Sequence, residues 1–186
     1  SKLNWTDLWP FVVLFLVVGL AFPSIIIRHR TLVSSTQTAG VMGDKPPWGS
    51  GPIPATSGKY QLDPGASGWQ DEPMAQKAAH LYRQSTAPLW NSNIGLGKPL
   101  AAAMQAAVFY PLHILLTIAP TPIMWDLYLL GRIYLAMVLT YGYLRLVGLT
   151  KFSSIVGGVL FGLTGYFMLF VSNTHLNVEI LFPLLF

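Results

Sequence analysis

Residues Leu127–Val147 read LYLLGRIYLAMVLTYGYLRLV, and this stretch decides the fold class. Arg132 and Arg145 are its only charged residues; the rest are aliphatic, aromatic or small. A bilayer core of about 30 Å needs on the order of 20 mostly apolar helical residues. Inside such a core every backbone N–H and C=O needs an internal partner, which a helix supplies. The stretch therefore predicts a membrane-crossing helix. Similar runs occupy Leu8–Ile27 and Phe152–Val171, with weaker ones at Leu100–Ala119 and Ile180–Phe186.

The composition agrees. Of 186 residues, 53% are hydrophobic and 10% charged, against roughly 25% charged in an ordinary soluble domain. The expected fold is an all-α integral membrane protein with three to four transmembrane helices. A long external loop with interfacial amphipathic helices completes it. The formal charge of +4 comes from scattered basic residues with no basic helix, so no nucleic-acid partner is indicated. The chain has no cysteine, which removes disulfides, thiolate metal sites and cysteine nucleophiles. Lys2 is the only basic residue before the first run, and that run exceeds a usual signal-peptide core; an uncleaved anchor is expected.

Three regions follow. Residues 1–27 form a short tail and the first span, with Trp5 and Trp9 suited to an interface. Residues 28–125 open with a Gly-, Pro-, Ser- and Thr-rich stretch that forbids long helices, then carry an amphipathic helix from Asp71. On that helix Met74, Ala78, Leu81, Tyr82 and Ser85 share one face; Gln76, Lys77, His80, Arg83 and Gln84 share the other. It reads as lying on a membrane surface or under a loop. Residues 126–186 form a helical hairpin and the start of a further apolar segment.

Topology turns on Leu100–Ala119, which Gln105, Pro111 and His113 interrupt. If it crosses, the loop after the first span and the Arg145–Lys151 turn share the cytoplasmic side. If it only dips in, residues 28–125 are one external loop and Arg145 and Lys151 flank a short cytoplasmic turn. The second arrangement is preferred, because charge bias governs short loops most strongly. Residues 172–179 then lie beside the long loop.

Candidate chemistry is sparse. Asp71 and Glu72 are adjacent acids that could bind a divalent cation or act as a base; equally, Asp71 could simply cap its helix. Arg132 sits inside a span, where a charge needs a partner or a cavity; lipid phosphate and Asp126 are both within reach. Arg28 and Arg30 could meet an anionic headgroup. Asn173, His175, Asn177 and Glu179 form a polar cluster. Gly95 and Gly97 suit a turn rather than a nucleotide loop.

In combination these residues form a series: Asp71–Gln76, Pro88–Asn91, Gly95–Leu100, Gln105 and Phe109–Leu112. The series resembles the N-terminal region of YfhO-like bacterial membrane proteins, placed with the C-type glycosyltransferases. The resemblance covers roughly Leu8 to Phe186. It implies that Asp71, and less surely Glu72, is the catalytic loop acid, with a divalent metal ion as a possible cofactor. It also implies substrate contacts from Arg28, Arg30, Gln76, Trp90, Asn91, Arg132, His175 and Glu179.

The implied reaction moves a sugar from a polyprenyl-phosphate carrier at the bacterial inner membrane, with Arg132 or Arg28 at the departing phosphate. Family members are much longer, so the chain reads as their front part or as a shortened relative. The alternative is a non-catalytic subunit of a membrane complex, packed through small residues such as Gly157, Gly158, Gly162 and Gly165.

Overall fold

The computed structural model describes residues 5–27, 30–33, 67–103 and 106–174 of the chain. They are mostly helical, as expected. Helix α1 spans Trp5–Ala21 and stops because Pro23, which opens the four-residue α2 (Pro23–Ile26), disfavours a helical residue before it. A π-helical turn at Ser67–Asp71 runs into α3 (Glu72–Arg83). The two-residue strands β1 (Trp90–Asn91) and β2 (Lys98–Pro99) pair antiparallel, Trp90 opposite Pro99. Gly95 and Gly97 take positive φ in the turn between them, where a Cβ on Gly97 would strike the Trp90 indole. Helix α4 (His113–Ile118) is followed by α5 (Pro122–Leu146), α6 (Lys151–Gly162) and α7 (Gly165–Leu169).

Threonines start both larger C-terminal helices. The Thr121 hydroxyl accepts Met124 N–H at 3.3 Å and the Thr150 hydroxyl accepts Ser153 N–H at 3.2 Å, each satisfying an amide the helix leaves open. Among the described residues α5 is the one helix long and apolar enough to cross a membrane, about 37 Å at 1.5 Å per residue. The other expected spans differ. The described residues of the expected span Leu100–Ala119 form turns and the six-residue α4, about 9 Å long, with prolines 111 and 120 on either side of that helix. Phe152–Val171 divides into α6 and α7 around Leu163–Thr164, where Gly162, Thr164 and Gly165 hold a helix weakly. The run at residues 180–186 lies outside the described residues.

Helices α1, α5 and α6 pack as an up-down-up layer. Phe11 meets Tyr141 and Phe15 meets Tyr134 at ring distances of 5.6 and 5.9 Å, so α1 and α5 are antiparallel. Lys151 Nζ pairs with Asp7 at 3.0 Å and ties the starts of α1 and α6 at one end. The connection from α1 to α5 therefore begins and ends at the other. Leu14, Val18, Ile133, Ala136, Met137, Ile155 and Phe167 form the core between them.

Helix α3 lies under the loop region. Ala75 and Ala79 pack on Leu116, Trp125, Tyr128 and Leu129, while Ala78 packs on Leu100, Ala106 and Val108. Gln76, His80 and Arg83 are exposed, as the helical spacing predicts; Ser85, placed with the apolar face, is exposed beyond the helix end.

The α6 glycines are spent inside this chain. A Cβ on Gly158 would sit 2.8 Å from the Met137 carbonyl oxygen, and one on Gly162 would strike the Met137 side chain. Gly165, at the start of α7, has open space around its Cβ position. Gly158→Ala should destabilise the protein by about 1–3 kcal/mol through overpacking. Gly142→Ala, with open space around its Cβ, should be neutral or gain about 0.5–1 kcal/mol of helix preference. Thermal melts in detergent would separate the two; equal loss from both would contradict this packing.

Candidate functional site

The acid pair is buried where the π-helical turn becomes α3. Asp71 is 1% and Glu72 2% exposed. Asp71 does not cap the helix: its backbone is already helical, φ −68° and ψ −51°, and its side chain makes no capping bond. A capping side chain needs an extended backbone to fold back over the first amides. Instead Asp71 Oδ2 accepts the Thr174 N–H at 2.9 Å. Buried carboxylates are tolerated when hydrogen-bonded or paired, and both Asp71 and Glu72 have polar partners.

Arg132 reaches the same segment from α5. Its guanidinium is fully buried. Nη1 donates to the Asn173 carbonyl at 2.8 Å; Nη2 donates to the carbonyls of Phe170 at 3.1 Å and Val171 at 2.9 Å. These carbonyls follow α7, where helix geometry provides no intrahelical partner; the Phe170 carbonyl also accepts the Asn173 N–H at 3.0 Å, and the charged donor serves all three. Ser67 Oγ adds a bond to the Ser172 carbonyl at 2.9 Å. Residues 170–174 are thus held jointly by the acid turn and by α5.

The candidates divide accordingly. Asp71, Glu72, Arg132 and Asn173 belong to this one region, although Asn173 takes part through its backbone carbonyl. Arg132 does not pair with Asp126, whose Oδ1 accepts from the Thr31 hydroxyl and Leu32 N–H at 3.0 and 2.7 Å. With no exposed surface, Arg132 could meet a lipid phosphate only if residues 170–174 moved aside. Gln76 and Trp90 are exposed, and Asn91 spends Oδ1 on Asn93 N–H. Arg30 is exposed and lines a groove that Asp126 also lines and Asp71 does not. Arg28, His175, Asn177 and Glu179 lie outside the described residues. Ser67 and the Thr174 amide had no signal in the sequence, since a lone serine and a backbone group carry no pattern.

Among the described residues no third His, Asp or Glu joins the acid pair to hold a metal ion. One Asp71 oxygen is already engaged by the Thr174 N–H. What the arrangement offers is a carboxylate fixed against a neighbouring loop.

A histidine behind the site also matters. His113 is 2% exposed, with neither ring nitrogen hydrogen-bonded among the described residues, and Tyr82 and Tyr128 meet its ring edge-to-face at 6.1 and 6.3 Å. Burial lowers its pKa from the ordinary 6.5. The unfolded chain then binds the proton first as pH falls, so its contribution to stability is intact above pH 6.5 and declines below it. His113→Phe should flatten this decline in melts between pH 7.5 and 5; an unchanged slope would contradict the burial effect.

Comparison with protein-family models, curated proteins and solved structures finds no match for this chain.

Proposed function

We propose that this chain forms membrane-embedded machinery for transferring a sugar from a polyprenyl-phosphate donor to an acceptor at the membrane surface. One observation carries the reading: Asp71 from the long connection and Arg132 from α5 both bind residues 170–174. These are the loop acid, the span arginine and the second loop that the resemblance to YfhO-like proteins sets together. Asp71, 1% exposed with residues 170–174 in place, is the base that draws the proton from the acceptor hydroxyl once that segment moves aside. Arg132 shapes the loop beside it and keeps a positive charge close behind, where charge developing in the reaction would feel it.

Membrane placement supports the reading. The outward faces of α1 and α6 carry Val12, Phe15, Leu16 and Leu20, and Phe152, Val156 and Leu160, all exposed. Faces this apolar suit lipid. The exposed Asp7–Lys151 pair and Arg145 mark the opposite end, which charge bias makes cytoplasmic. The acid turn then faces outward. Helices α1, α5 and α6–α7 are the proposed spans, in a bacterial inner membrane.

The test is donor cleavage. Membranes containing the chain should release polyprenyl phosphate from sugar-labelled polyprenyl-phosphate donors when an acceptor is present. No release above membranes lacking the chain, across a panel of donor sugars and acceptors, would count against the proposal.

A further inference from the structure

A second feature lies away from Asp71. An apolar groove of about 640 Å³ runs between the C-terminal half of α1, α2 and the first half of α5. Its walls include Phe15, Val18, Ile26, Leu127 and Leu130, and it opens sideways past the exposed Phe15, Ile26 and Leu127. This volume lies in the range of small-molecule sites, roughly 300–1,000 Å³. Arg30, Thr31 and Asp126 line it as well, at the end of the layer where the long connection begins.

The rim carries two opposite charges that do not neutralise each other. Arg30 is exposed and forms no ion pair among the described residues. Asp126 Oδ1 takes both hydrogen bonds from Thr31 and Leu32, while its second oxygen makes none among the described residues. Asp126 and Arg132 are six residues apart, about 9 Å along α5 and about 120° around it. The groove and the acid turn therefore use different faces of one helix.

We infer that this groove binds an aminophospholipid, one acyl chain between α1 and α5, its phosphate on Arg30 and its primary ammonium on Asp126. The complementarity selects among headgroups. A phosphatidylethanolamine offers both charges and ammonium N–H donors. A phosphatidylcholine keeps both charges but has no N–H to give. A phosphatidylglycerol satisfies Arg30 and leaves Asp126 unmatched. The inference rests on the bilayer placement above and is independent of sugar transfer.

Native mass spectrometry of the delipidated full chain in detergent, titrated with short-chain phosphatidylethanolamine, phosphatidylcholine and phosphatidylglycerol, tests it. Phosphatidylethanolamine should bind about tenfold more tightly than the other two, the scale of one charge-assisted hydrogen bond. Asp126→Asn keeps an acceptor for Thr31 and Leu32, so the fold survives while the preference disappears. Leu127→Trp fills the groove and should weaken all three lipids alike. Equal binding of the three headgroups, a preference that survives Asp126→Asn, or binding indifferent to Leu127→Trp would overturn the inference. So would absence of lipid binding, as when another part of the chain or a second copy fills the groove. Failure here leaves the donor-cleavage result untouched, and failure of donor cleavage leaves this one untouched.

Discussion

Asp71→Asn should cut sugar transfer by about 10²–10⁴-fold, the contribution of a positioned general base. The substitution is close to isosteric, and the amide oxygen can still accept the Thr174 N–H that Asp71 Oδ2 now accepts. The fold should therefore persist, with a melting temperature near that of the unmodified chain. Lost proton abstraction acts in the transition state, so kcat should fall while KM for the donor stays nearly constant. Glu72→Gln should lower the rate less, since Glu72 is the less secure match to the loop acid. Full activity in Asp71→Asn would remove the residue from the chemistry. A collapse in both activity and melting temperature would make it a structural carboxylate.

Arg132→Met should have the largest effect on stability. The guanidinium is fully buried and satisfies three backbone carbonyls. Methionine fills much of the volume but donates nothing. The Val171 and Asn173 carbonyls then carry their desolvation cost, while the Phe170 carbonyl keeps the Asn173 N–H; the sum is on the order of 2–5 kcal/mol. Arg132→Lys should recover part of the loss, because an ammonium is a single centre and cannot span carbonyls as a planar fork does. Hydrogen exchange should rise first at residues 170–174, with the Thr174 amide exchanging faster as its Asp71 bond loosens. A melting temperature unchanged in Arg132→Met would show that the loop is held by other contacts.

The architecture was legible where one physical rule dominated. Length and apolarity alone identified α5, and helical spacing placed Ala78 inward and Gln76, His80 and Arg83 outward on α3. It failed where rules competed. Residues 100–119 are apolar enough to tempt a span, but with Pro111 inside the run and Pro120 just after it the described residues form turns and one short helix. The run over 152–171 carries no charge, and its break at Thr164 depends on small residues whose helix preference is weak.

The site was half legible. Asp71 stood out as half of an acid pair and Arg132 as a charge inside an apolar run, but their partners are backbone groups more than 35 residues away in the chain. Side-chain patterns carry no information about such groups. Capping was the obvious local role for Asp71. It lost because the preceding π-helical turn had already made the Asp71 backbone helical.

The claim on which the functional reading depends is that α1, α5 and α6–α7 cross a bilayer with the acid turn outside. The chain has no native cysteine, so single substitutions report cleanly. Ser85→Cys lies just beyond α3, and Val147→Cys lies in the exposed turn after α5. In bacterial spheroplasts a membrane-impermeant maleimide should label Ser85→Cys directly and Val147→Cys only after permeabilisation. Labelling of both without permeabilisation, or recovery of the protein in the soluble fraction, would contradict the membrane placement and the proposed function with it.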